Sequence, residues 1–312
     1  MLSLAGRSPT VVSGASLRIG GDSFRTGKGE TVLVEACEYK DSFLSFFPTI
    51  SVVLNVELDH TDYFADLEAI KHSFTKALGR AEKFALINGD DTNLTDIASR
   101  INTKVISFGA SEQNTYRYVI TSFKEVGFSF TLLRNGIKTG DFELNIPGAF
   151  NIANATAAIA LSLEYGIDAT TISEALALYR GIPRRLEYIG NRFARPVFYD
   201  YAHHPTEIKA SIDALKMHTG SPLTVIFKPH TYSRTASLWN ELCDSLSEAD
   251  HILLTDIYPA REEAIEGVNS FRLAEEIGGK AKYCKDEEIL TNLDFYTSGA
   301  IVLMVAGDLE EI

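Results

Sequence analysis

Four short apolar runs in the second half of the chain, Val197–Tyr201, Leu223–Phe227, Ile252–Ile257 and Ala300–Val305, are separated by stretches of helical spacing at about 206–217, 236–248 and 270–278. Strands that alternate with helices of this length need crossover connections. They therefore predict a parallel sheet with helices on both faces. Such a sheet collects the carboxyl ends of its strands on one edge, where open α/β sheets hold their ligands.

The first half carries the same signals less regularly. Thr31–Ala36, Ile50–Val56, Phe84–Asn88 and Val105–Phe108 read as strands, Leu67–Glu82 has helical spacing, and Ile97–Ile101 ends another helix. Residues 116–146 change character. Two alternating runs flank Gly127, and Asn135-Gly136 is a strong hairpin signal, so an antiparallel excursion is expected there. Pro147-Gly148 closes it, and helices follow over Asn151–Tyr165 and Thr171–Tyr179. Gly181-Ile182-Pro183 breaks the helical pattern and reads as a hinge, dividing the chain into domains 1–182 and 183–312.

Composition narrows the class. The chain is 45% hydrophobic and 23% charged, with a formal net charge of −13. These are values of an ordinary globular protein, and no basic run suits a nucleic-acid backbone. Cys37, Cys243 and Cys284 lie far apart without metal or redox spacing, as expected of reduced thiols in a cytoplasm. No apolar stretch is long enough to span a bilayer, and the first seven residues lack a signal-peptide core.

Chemistry concentrates after the predicted strands. Asp200-Tyr201-Ala202-His203-His204-Pro205-Thr206-Glu207 sets two carboxylates, two imidazoles and a phenol at a strand-to-helix turn. An N-cap role accounts for Thr206 and Glu207 but not for His203 and His204 beside Asp200. Two further polar turns, Lys228–Thr235 with His230 and Arg234, and Asp256–Glu262 with Tyr258 and Arg261, should converge on the same sheet edge. In the first half Glu35 and the Glu57-Leu58-Asp59-His60 turn end what read as neighbouring strands. A carboxylate with an imidazole there suits Mg2+, or Mn2+ given the histidine.

Glu35 with Asp59-His60, Pro147-Gly148 with Phe150–Ala155, Arg184–Glu187 and the three polar turns, taken in that order, resemble the Mur ligase family over nearly the whole chain. The Asp-Tyr-Ala-His-His-Pro-Thr-Glu string is the most specific part of the match. The resemblance implies an α/β protein with a central, mostly parallel ATPase-type domain that includes the antiparallel excursion, followed by a Rossmann-like C-terminal domain. It implies an ATP-dependent amide ligase of peptidoglycan precursor synthesis. Such an enzyme joins L-alanine to UDP-N-acetylmuramate through an acyl phosphate, with ATP and Mg2+ or Mn2+ as cofactors. A murein-peptide recycling ligase and a non-catalytic paralogue acting as a binding protein stay open beside it.

By the same resemblance, Glu35 and His60 are metal ligands, and Asn151, Asn154, Arg185 and Asp200 face the nucleotide. Tyr201, His203, His230, Arg234, Tyr258 and Arg261 meet the substrate, and His60, Asp200, His203, His204 and Arg234 take part in catalysis. Family members often carry Arg where this chain has Thr231, and some carry His at the position of Phe150.

No Walker A loop occurs. Phe24–Gly29 contains Gly-Lys, but Asp22 stands where the first glycine belongs and Gly29 where Ser or Thr must meet a metal, so the segment reads as a hairpin turn. Relatives place a P-loop and a UDP-binding domain ahead of the region matching Met1–Gly6, and a final helix after Gly307-Asp308. The resemblance thus implies a chain that begins inside the P-loop helix and has weak or no ligase activity alone.

Overall fold

The computed structural model describes residues 1–15, 23–124, 127–192, 194–219, 222–293 and 298–306. Asp22 and Gly307-Asp308 lie outside them. The chain divides into two compact units, Met1–Arg180 and Gly181–Ile312.

Unit 1 begins with β1 (Thr10–Val12), β2 (Phe24–Arg25) and β3 (Val32–Val34), a small sheet in the order β2-β1-β3. Because β1 lies between β2 and β3, residues 26–31 cross over β1 and do not form the expected hairpin turn. β2 pairs antiparallel with β1, and β3 pairs parallel with it. A second sheet follows from β4 (Ile50–Val53), α1 (Leu67–Gly79), β5 (Phe84–Asn88), α2 (Thr92–Ser99), β6 (Val105–Gly109), β7 (Tyr116–Phe123), β8 (Phe128–Arg134) and β9 (Ile137–Leu144). Its order is β4-β5-β6-β7-β8-β9, parallel through β7 and antiparallel beyond it. Asn135 and Gly136 both take positive φ, 49° and 78°, as the predicted two-residue hairpin needs.

Residue alternation along β5 explains why this sheet is covered on both faces. Phe84 and Leu86 join a core with α3 (Phe150–Glu164) and α4 (Ala169–Leu178). Ala85 and Ile87 join a separate core with Ile70 and Leu78 of α1 and Leu94 and Ile97 of α2. Asp91 anchors this second layer. Its Oδ1 accepts the N–H groups of Asn93 and Leu94 at the start of α2, and its Oδ2 accepts the N–H of Val56.

Unit 2 comprises β10 (Glu187–Arg192), β11 (Arg195–Asp200), α5 (Pro205–Thr219), β12 (Leu223–Lys228), α6 (Tyr232–Ser237), α7 (Trp239–Leu246), β13 (His251–Leu254), α8 (Ser270–Ile277), β14 (Ala281–Tyr283), α9 (Ile289–Leu293) and β15 (Ala300–Val305). The sheet runs β10-β11-β15-β12-β13-β14, and every pairing is parallel except β10 with β11. β15 is buried along its whole length, as a central strand covered on both faces must be. The single helix expected at 236–248 is two, because Leu238 leaves helical geometry at φ −114° and ψ 26°.

Candidate active site

In unit 2 the parallel strands β11, β12 and β13 release three turns at one edge of the sheet. Two backbone hydrogen bonds join the second turn to the third: Tyr258 N–H donates to Pro229 O at 2.8 Å, and Thr231 N–H to Tyr258 O at 2.9 Å. This pairing brings the His230 and Tyr258 rings into a stack, with centroids 5.6 Å apart and planes at 24°. The first turn meets them through His203, whose ring lies 5.7 Å from that of His230 and 5.6 Å from that of Tyr201.

The charges around these rings are fixed by short local bonds. His203 Nδ1 lies 3.0 Å from the Tyr201 carbonyl oxygen, so Nδ1 carries a proton, and when the ring is neutral Nε2 holds the lone pair. His230 is the reverse. Arg234 Nη1 is 3.0 Å from its Nδ1, and arginine can only donate. The proton of neutral His230 therefore sits on Nε2. Burial, with the charges of Arg234 and His203, pushes the His230 pKa down to about 4.

Glu207 organises the first turn. Its Oε2 accepts the N–H groups of His203 and His204 at 3.2 and 3.3 Å, closing the start of α5. Burial works against its charge, but His203, the two N–H donors and Arg185 hold the carboxyl below its usual range. Arg185 Nη1 lies 3.5 Å from Glu207, and its guanidinium stands 5.6 Å from the Tyr201 centroid. Glu262 does the same for the second turn, accepting Ser233 N–H at 2.8 Å and Ser233 Oγ at 2.6 Å. Thr231, the N-cap of α6, adopts φ 64°, a costly conformation for a β-branched residue that tends to persist at functional turns.

The expected site residues are not all gathered. Tyr201, His203, His230, Arg234 and Tyr258 form one contiguous group, and Arg185 joins it through Tyr201. Arg261 is exposed on the third turn. Asp200 is only 3% exposed; its carboxyl accepts the Ser211 hydroxyl and, at 3.3 Å, the Ala202 N–H. Burial raises its pKa. Two contributors were not singled out as site residues from sequence. Arg184 stands 5.0 and 4.8 Å from the Tyr199 and Tyr201 centroids, and Glu262 caps α6. The Arg184-Arg185 pair behind Pro183 was the available signal for the first. Nothing local marks Glu262.

In unit 1, Glu35 and His60 follow strands of different sheets, β3 and β4, and not neighbouring strands of one sheet. Glu35 Oε2 accepts Gly14 N–H at 2.6 Å and the Ser13 hydroxyl at 3.0 Å. His60 has φ 53°, packs against Tyr39 with centroids 4.8 Å apart and planes tilted by 41°, and places Nε2 3.4 Å from Glu38. Among the described residues no three of His, Cys, Asp and Glu come together as a metal cluster. Asn151 and Asn154 lie on successive turns of α3. Asn151 Nδ2 donates to Pro147 O at 2.6 Å, and Asn154 Nδ2 to Asn151 Oδ1 at 3.4 Å.

A mixed β-α unit followed by a parallel α/β unit with this triple-turn edge defines a protein of the Mur ligase family, and the chain belongs to it. Residues 22–162 match the Mur ligase middle domain, and residues 184–308 the Mur ligase glutamate ligase domain. Its curated relatives include the UDP-N-acetylmuramate–L-alanine ligases of Caldicellulosiruptor bescii, 40% identical over 92% of this chain and 65% of the relative, and of Clostridium tetani, 36% identical over 98% and 69%. The chain thus spans about two thirds of the length of these relatives. The solved UDP-N-acetylmuramate–alanine ligase MurC of Thermotoga maritima superposes with a TM-score of 0.77 at 23% identity, covering 99% of this chain and 68% of that one. A MurF ligase from the same organism, solved in complex with ADP, gives 0.72 at 18% identity, covering 97% and 70%. No helix among the described residues is long and apolar enough to cross a membrane.

Proposed function

We propose that this chain supplies the central and C-terminal parts of an ATP-dependent ligase that joins L-alanine to UDP-N-acetylmuramate in peptidoglycan precursor synthesis. The observation that carries this reading is the Tyr201–His203–His230–Arg234 group at the sheet edge of unit 2, on a chain 36–40% identical to relatives named for that reaction. The muramate carboxylate attacks the γ-phosphorus of ATP, and the bond to the β-phosphate oxygen breaks to release ADP. The amine nitrogen of alanine then attacks the acyl carbon of the resulting acyl phosphate. Inorganic phosphate leaves, and one amine proton is lost.

Arg234 and the Nε2–H of His230 are two donors on one small group, suited to a planar carboxylate such as that of the incoming amino acid. The lone pair of His203 Nε2 can accept a proton from its ammonium group. Arg185 and Arg184, stacked on tyrosines, add fixed positive charge for phosphate oxygens. Asn151 and Asn154 offer amide groups to a nucleotide. Glu35 and His60 would hold a magnesium ion, which when bound offsets charge on the phosphates. Asp200 acts at one remove, by shaping the turn that presents Tyr201 and His203.

The test is a chimera in which residues 181–312 replace the matching part of the Caldicellulosiruptor ligase. Alanine-dependent phosphate release should persist. Arg234→Ala in that chimera should raise KM for alanine at least about tenfold, as loss of a charge-assisted pair typically does. A folded chimera that is active with alanine but indifferent to Arg234→Ala would refute the role of this group. A folded chimera without alanine turnover would refute the acceptor.

A further inference from the structure

Unit 1 contains an open pocket of about 240 Å3 lined by Ser3, Gly6, Ser8, Arg25 and Thr26. It sits where residues 26–31 cross over β1, and two glycines permit that crossing. A Cβ on Gly27 would fall 2.0 Å from the Ser8 carbonyl oxygen, and one on Gly29 would fall 1.9 Å from that of Arg7. Three bonds then lock the layers: Gly29 N–H to Ser8 O at 2.8 Å, Lys28 N–H to Ser8 Oγ at 3.0 Å and Gly27 N–H to Thr10 Oγ1 at 3.0 Å. Ser8 itself is held at φ 44°, a left-handed conformation that persists only where surroundings enforce it.

The chemistry of the lining is one-sided. It has one guanidinium and three hydroxyls, and no carboxylate among the described residues. Arg25 Nη2 donates to Ser3 Oγ at 2.8 Å, which orients the planar fork over the pocket wall. Arg7 and Lys28 flank the same crossing, within a chain of net charge −13. A fork of N–H donors beside several hydroxyls matches a tetrahedral oxyanion, which accepts from many directions at once.

We propose that this pocket is a phosphate-binding site, built by the Gly27-Lys28-Gly29 crossing and centred on Arg25. It belongs to unit 1 and does not depend on the ligase reading. Free phosphate and the diphosphate of a nucleotide share the chemistry it would recognise.

The backbone amide signals of Gly27, Lys28 and Gly29 report on it directly. The 312-residue protein is titrated at constant ionic strength with inorganic phosphate in one arm and uridine diphosphate in the other. Saturable shifts at these amides in either arm are expected. Shifts in both arms identify a general phosphate site, and shifts with the diphosphate alone identify a nucleotide ester. Arg25→Met should weaken binding about tenfold or more, and Thr26→Val by a smaller factor. The proposal is overturned if neither anion moves these amides at millimolar concentration, or if folded Arg25→Met binds as tightly as the parent. Should Arg25→Met fail to fold, unchanged affinity in Thr26→Val overturns it instead.

Discussion

At Asp200 the carboxyl group is enclosed by its own turn, accepting from Ser211 and Ala202. Asp200→Ala removes both acceptors and strands a buried hydroxyl and an N–H, which should destabilise unit 2 by about 1–3 kcal/mol in urea denaturation at neutral pH. Asp200→Asn keeps an acceptor and cannot ionise. Because burial raises the folded pKa, the parent gives up stability as pH rises through that value, and the asparagine variant does not. Its stability relative to the parent should therefore fall as pH is lowered; a variant that gains on the parent on acidification would contradict the assignment. His230 works in the opposite sense. Its folded pKa of about 4 lies below the ordinary 6.5, so its contribution is complete above about 6.5 and is lost as pH falls toward 4. His230→Gln should flatten the stability profile across that window, measured by denaturant midpoints at several pH values.

Two elements test the layering of unit 1. Gly136 has φ 78° in the β8–β9 hairpin, and a Cβ there meets nothing within 4 Å. Gly136→Ala should therefore cost about 1 kcal/mol from backbone strain alone, and Gly136→Asn less. Asp91→Ala should cost more, about 1–2 kcal/mol for the cap, since it also abandons the Val56 N–H. Comparing the three variants by thermal melting separates turn strain from capping. These elements also show what could be read in advance. Asn135-Gly136 and the β–α alternation are local signals, carried by residues whose backbone preferences stand alone, and the hairpin and both sheets follow them. The crossing at Gly27–Gly29 was not legible as such, because its glycines answer to the backbone of Arg7, Ser8 and Pro9 some twenty residues earlier. The same holds for Glu35 and His60. Strand propensity located β3 and β4 but carried no information on which sheet each would join. The inward turn of Asp200 was hidden too, since only the partner Ser211 on α5 reveals it.

On the scale of the molecule, each unit has its own apolar interior. Two cores serve the faces of the unit 2 sheet, one with α5, α7 and α8, the other with α9. Residues 181–312 expressed alone should therefore fold and melt in one cooperative transition by calorimetry; a broad, heatless transition would show that the unit is incomplete. The order of that sheet has a consequence for how the protein is made. Among the strands of this sheet β15 is the last to be synthesised, yet it lies between β11 and β12. Until residue 305 has left the ribosome, the half of the sheet bearing His203 and the half bearing His230 have no bridge between them. The nascent chain must hold two partial sheets with open apolar edges, a state prone to capture by chaperones or proteases. The histidines can become neighbours only once β15 is in place, so a stop codon or proteolytic cut shortly before Ala300 would abolish the site while sparing every residue in it.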